Sequence, residues 1–237
     1  MQRIADALRN QGASPTEVAY LLGYQGGLES FWLECADPTL MMRIASIAGA
    51  DPKTSVSIAI EAAKAVLDYV GPKEPRPKRA VDIAGLFLTG KAKADQCEKA
   101  GQIAEEVGKA YRDTKTGTKI ERRAFRAAQH ASLAAAKAAF VARDAAVTME
   151  LEYDTTYTFE DAWNGARVSC ALGSAQALLE AVEAACAATS TCVTIETGSA
   201  VAGAAAADEA RPLALGWAAR VIRKHLPATT FSKLEIV

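Results

Sequence analysis

KIERRAFRAAQHASLAAAKAAFVARDAAVTMEL, residues Lys119–Leu151, decides the fold. The stretch holds neither Gly nor Pro. Alanine, its commonest residue, has the highest intrinsic helix propensity. It therefore reads as one long central helix. Leu133, Phe140 and Val147 recur every seven residues, and Phe125 lies about two turns before the first of them. They predict a narrow apolar stripe flanked by small alanines, which only closely packed neighbouring helices can bury.

Upstream, residues 1–36 read as two or three short helices. Ser14-Pro15-Thr16-Glu17 is a capping box with Pro at the first helical position, and Gly23 ends the helix it starts. Gly26 and Gly27 separate it from Leu28–Cys35. Asp37-Pro38 and Asp51-Pro52 each set an N-cap carboxylate before an N1 proline. They open helices expected to reach Ala48 and Val70. Lys73–Lys78 (KEPRPK) predicts a rigid charged connector, because each proline fixes its own backbone and restrains its neighbour. Helices follow over Lys78–Thr89 and Ala94–Arg112, and Asp113–Thr118 forms a polar turn into the central helix.

Downstream, Glu152–Thr158 is a polar break, and Thr158 with Asp161 resembles another capping box. A helix runs from Phe159 to about Ala188. The β-branched stretch Thr189–Gly198 is where a short strand or extended loop competes with helix. A last helix covers Ser199–Leu226, with Leu213, Trp217 and Val221 at spacings of four and a break or kink at Pro212. The tail Ala228–Val237 is expected to be loosely held. The expectation is an all-α bundle of about nine or ten helices. The connector divides a small N-terminal lobe, 1–72, from an alanine-rich bundle, 73–237, unless the two form one continuous domain.

Composition narrows the functional classes. Of 237 residues, 50% are hydrophobic but only 6% aromatic, so small side chains must fill the interior. A net charge of −1 exerts no global pull on nucleic acid or an anionic membrane. Cys35, Cys97, Cys170, Cys186 and Cys192 are odd in number, and no pair has zinc-ligand spacing. They read as free thiols of a reducing cytoplasm. The N-terminus lacks the apolar core of a signal peptide. No run approaches the roughly 20 apolar residues of a membrane span. Cytoplasmic localisation is the expectation.

No catalytic constellation is legible. His130 lies mid-helix with no nucleophile placed beside it, and His225 suits a helix C-terminus. Paired Glu-x-x-His motifs of a di-iron bundle are absent. Glu105, Glu106, Glu180 and Glu183 read as solvated faces. There is no Walker loop, GxGxxG or GxSxG. Ser14–Gly26 resembles part of the second helix-turn-helix of arabinose-regulator-type transcription factors. The helix that should read bases carries no Lys or Arg, and residues 1–40 sum to −3. Phosphates repel such a module. Arg122, Arg123 and Arg126 crowd the start of the central helix, while Glu150 and Glu152 sit at its end. Both placements oppose the helix dipole. Cross-helix pairing with Glu105, Glu106 or Asp113 is one explanation. The other is a basic partner-binding patch of Arg76, Lys78, Arg79, Arg122, Arg123 and Arg126.

Three stretches carry a resemblance: FWLECADPTLMMRIASIAGADPKT (Phe31–Thr54), SIAIEAAKAVLDYV (Ser57–Val70) and EPRPKRAVDIA (Glu74–Ala84). With the alanine-rich middle and the closing ARPLALGWAARVIRKHLP (Ala210–Pro227), the chain resembles a family of alanine-rich helical immunity proteins. These occur in bacteria and phage genomes in association with polymorphic toxin systems. The chain departs from the family plan at Gly85 and Leu86–Leu88. The resemblance implies a non-enzymatic cytoplasmic protein that neutralises a protein partner, without metal or cofactor. Toxin immunity is one version, and phage-encoded inhibition of a bacterial defence system is the other. The alternatives are a helical module that binds nucleic acid through the basic patch, or an enzyme with a site assembled from scattered residues. Exposed small-residue faces also leave room for a homo-oligomer.

Overall fold

The computed structural model of the chain describes residues 1–114, 116–153 and 160–231. Among them are ten α-helices and no β-strand, so the chain is all-α as expected. The helices are α1 (Gln2–Asn10), α2 (Pro15–Gly23), α3 (Leu28–Glu34), α4 (Pro38–Ile47), α5 (Pro52–Lys64), α6 (Arg76–Leu88), α7 (Ala94–Asp113), α8 (Lys119–Tyr153), α9 (Glu160–Thr197) and α10 (Ala200–His225).

The predicted caps form. Ser14 Oγ accepts from Glu17 N at 3.2 Å, and Glu17 Oε2 accepts from Ser14 N at 2.7 Å. Asp37 accepts from Thr39 N and Leu40 N, and Asp51 from Lys53 N. Thr118 and Glu121 form a further reciprocal box at the start of α8. Its carboxylate favours the positive end of the helix dipole, which the three arginines there oppose. The expected box at Thr158 and Asp161 lies outside the described residues.

Several boundaries differ from the sequence reading. α5 stops at Lys64, and the chain tightens into a 3-10 turn at Leu67–Tyr69. That turn buries Val66 and presents the Val70 carbonyl to Tyr111 Oη at 3.3 Å. α6 begins inside the expected connector at Arg76, because Pro77 fits a first helical turn, where no N–H partner is required. The expected contest between strand and helix at Thr189–Gly198 is won by helix. Thr189, Thr191, Thr194 and Thr197 each donate their hydroxyl to the carbonyl four residues back, at 2.7–3.0 Å. α10 runs through Pro212 without a break. Pro212 and Asp208 are exposed, so water can serve the carbonyl that lacks its N–H. In the tail, Ala228–Phe231 is a 3-10 turn, and Phe231 is buried against Trp32 with ring centroids 4.2 Å apart.

α8 is the middle layer. α7 packs on one flank and α9 on another, both antiparallel to it, while α5 and α6 also lie against it. The stripe expected on α8 is only partly covered: Leu133 and Phe140 are half-buried and Val147 is exposed. The alanines are the buried set, among them Ala131, Ala134, Ala135, Ala138, Ala139, Ala142 and Ala145. Large side chains seat on glycines of the neighbouring helix instead. A β-carbon at Gly101 of α7 would stand 2.6 Å from the Phe140 ring, and one at Gly108 3.0 Å from Leu133. Gly173 of α9 takes Val141 in the same way. Removing β-carbons at these points lets the axes approach, since interaxial distance follows the side chains at the contact.

α9 contains one segment, Asn164–Thr197, long and apolar enough to cross a membrane by length and composition. The sequence reading found no such run. Its hydropathy comes from Ala, Leu, Val and Cys with few charged residues, rather than from an unbroken series of large apolar residues. Here α8, α10, α5 and α4 pack against it.

The main core draws on both sides of the expected lobe boundary, from Ile4 to Phe231. Trp32 Nε1 donates to the Leu226 carbonyl at 3.1 Å. Arg223 donates to the carbonyls of Trp32 and Cys35. Gly49 ends α4 with φ +80°, and the Arg167 guanidinium of α9 reaches the Ala50 carbonyl beside it at 3.1 Å. A smaller cluster of Ala80, Ala100, Ala104, Ala136 and Ala139 joins α6, α7 and α8.

Candidate partner-binding surface

The six basic residues singled out in the sequence fall into two groups. Arg76, Lys78 and Arg79 share the first turn of α6. Arg76 makes a two-pronged ion pair with Glu74, Nε to Oε1 at 2.6 Å, and this holds the Glu74 carboxyl below its ordinary value. Lys78 Nζ pairs with Asp82 at 2.7 Å, one turn on. Arg79 forms no ion pair among the described residues.

Arg79 stands on the rim of a 440 Å³ groove between α6 and α7. Ala80 and Ala100 form its floor, with Ile83 and Ile103 above them. Arg76, Arg79, Gln96 and Lys99 line the edge. Ile103, a large apolar side chain, is 42% exposed in the groove that these cations line. Lys99 is also without an ion pair among the described residues. Sequence reasoning missed Lys99. The signal was the adjacency of α6 and α7, which puts Lys99 across the groove from Arg79.

Arg122, Arg123 and Arg126 occupy the start of α8. Arg122 is exposed, and its side chain makes no hydrogen bond or ion pair among the described residues. Arg123 turns inward, to the Thr194 hydroxyl and to the Ala200 carbonyl at 3.0 Å. There it tethers α8 to the corner between α9 and α10. The start of α8 lies beside the end of α9, so a cation that opposes its own helix dipole is favoured by that of its antiparallel neighbour. Arg126 lies near Glu183, which Arg211 of α10 pairs through both guanidinium nitrogens. Of the acidic partners expected, Glu105 pairs with Lys109 and Asp113 with Arg112, while Glu106 lies near Arg76. In the first group Arg76 and Lys78 are paired beside or within α6 itself, and in the second Arg123 and Arg126 face α9 and the start of α10.

Apart from the exposed thiol of Cys192, the remaining cysteines and both histidines are buried or paired. Cys35, Cys97, Cys170 and Cys186 are buried and free, and Cys192 is exposed. Burial pushes the Cys35 and Cys97 thiols up to about 11 and Cys170 up to about 12. They stay protonated at neutral pH, and the thiolate is the nucleophile. His130 Nδ1 lies 2.7 Å from Glu180, and His225 Nε2 lies 2.9 Å from Glu61, which also pairs with Lys224. Glu180 and Glu183, read in the sequence as solvated, are thus cross-helix partners. A larger cleft of 680 Å³ between α1, α4 and α9 is lined by Asn10, Gln11, Ser46, Asn164 and Arg167. Gln11 and Ser46 there bond each other at 3.0 Å. Among the described residues no three His, Cys, Asp or Glu side chains gather as a metal site. No protein family, curated protein or solved structure matches the chain.

Proposed function

We propose that the chain is a non-enzymatic helical binding protein that neutralises a protein partner, engaged at the α6–α7 groove. The observation that carries this reading is the exposed Ile103, which lines one groove with Ile83 and with Arg79 and Lys99, two cations without an ion pair among the described residues. An apolar centre with a charged rim is the composition of a protein interface. The resemblance to immunity proteins supplies the neutralising role, with a toxin or a component of a defence system as the partner.

Affinity capture from host cells, followed by mass spectrometry, identifies the partner. Arg79→Glu and Lys99→Glu should each weaken its binding at least about tenfold. Arg122→Glu, on the other flank, should leave binding unchanged. Equal affinity in all three variants, with folding intact, removes the groove from the reading. A steep loss of affinity between low and moderate salt would instead favour nucleic acid.

A further inference from the structure

We propose that two copies of this chain pair through the outer face of α10, antiparallel and in a single register. The inner face of α10 is buried at Gly203, Ala218, Ala219, Val221 and Ile222. The outer face carries Ala205, Glu209, Leu213, Gly216 and Arg220, spaced so that they fall on one side of the helix. Leu213 is 76% exposed. A β-carbon at Gly216 would touch only the flexible Arg220 guanidinium, at 3.7 Å, so the position becomes a hole when that side chain swings out towards a partner. Neither Glu209 nor Arg220 forms an ion pair among the described residues.

A second copy satisfies all of these at once. When two α10 helices run antiparallel with Leu213 over Gly216 of the other copy, Glu209 stands opposite Arg220. By the two-fold symmetry each contact occurs twice. The same register sets Pro212 against Trp217. Charge complementarity and the knob-and-hole fit select the same alignment independently. The knob on glycine is also the device this chain uses internally, where Leu133 sits on Gly108 and Phe140 on Gly101. One helix pair is a small interface, so the dimer is weak and concentration-dependent.

Sedimentation velocity over a wide concentration range tests this. The unmodified chain should move from monomer towards dimer as concentration rises. Glu209→Arg and Arg220→Glu should each weaken self-association about tenfold or more, because like charges then face each other twice. Mixing the two variants should restore a dimer, since every pair across that interface is again of opposite charge. Both positions are exposed, and circular dichroism checks that folding is unchanged. A chain that stays monomeric at every concentration overturns the proposal. So does a dimer that the single variants leave intact, or one that mixing fails to restore. A monomer that binds lipid vesicles through Leu213 would assign the face to a membrane instead. Substitutions in the α6–α7 groove should leave self-association unaltered, which separates this inference from the proposed partner site.

Discussion

Gly101 and Gly85 are both helical glycines, and the structure gives them opposite roles. At Gly101 a β-carbon would collide with the Phe140 ring, whereas at Gly85 it would meet nothing within 4 Å. Helix propensity alone favours alanine at either site by about 0.5–1 kcal/mol. Gly85→Ala should therefore raise stability by about that amount. Gly101→Ala should lower it by about 1–3 kcal/mol, the usual cost of overpacking a core. Urea denaturation decides, and a gain at both sites would show that the Phe140 seat is loose. Arg123 and Arg122 differ in the same way. Arg123→Ala removes charged hydrogen bonds at the α9–α10 corner and should cost about 1.5 kcal/mol. Arg122→Ala should change stability by less than about 0.5 kcal/mol. At this scale the sequence shows which residues are charged, but not which of two adjacent arginines turns inward.

Elements add constraints that no single residue carries. Glu183 and Arg211 bridge α9 and α10, and the guanidinium holds the Glu183 carboxyl below its ordinary value of 4.5. A carboxyl depressed in the folded state stabilises above its unfolded value and loses that contribution as pH falls through the folded one. The pair is more than a third exposed, so its worth is about 0.2–1 kcal/mol. Glu183→Gln should be less stable than the parent at neutral pH, and the gap should close in acid below 4.5. Thermal denaturation across pH reads it. Pro212 costs α10 one backbone hydrogen bond at an exposed position. Pro212→Ala should therefore stabilise the monomer by about 1–3 kcal/mol, measured by chemical denaturation at low concentration. A loss would mean that the proline's local geometry is needed. The length of α9 was not legible, because β-branched residues favour strands on propensity. Their hydroxyls instead bond back along the helix, and packing against α8 and α10 completes the choice.

On the scale of the whole molecule, the first seventy residues and the last thirty close on each other. Trp32 bonds the Leu226 carbonyl, Arg223 bonds the carbonyls of Trp32 and Cys35, and Phe231 packs at a tilt against the indole. Trp32→Phe keeps an aromatic ring but leaves a buried carbonyl without its donor. It should cost about 1–3 kcal/mol. Calorimetry of the parent should show one transition, since α4 and α5 pack directly on α9 and α8. Two transitions would show that the N-terminal helices melt on their own.

The sequence by itself determined the helical class, the long α8 and the starts of α2, α4 and α5. Those depend on alanine content and on Ser14, Asp37 and Asp51, whose capping acts within a few residues of each. The tertiary structure decided which glycines serve as seats, that Arg123 points inward, that Lys99 joins Arg79 across a groove, and that α10 leaves a face uncovered. Each of these needs two segments far apart in the chain to be brought side by side. No local pattern of residues encodes that distance.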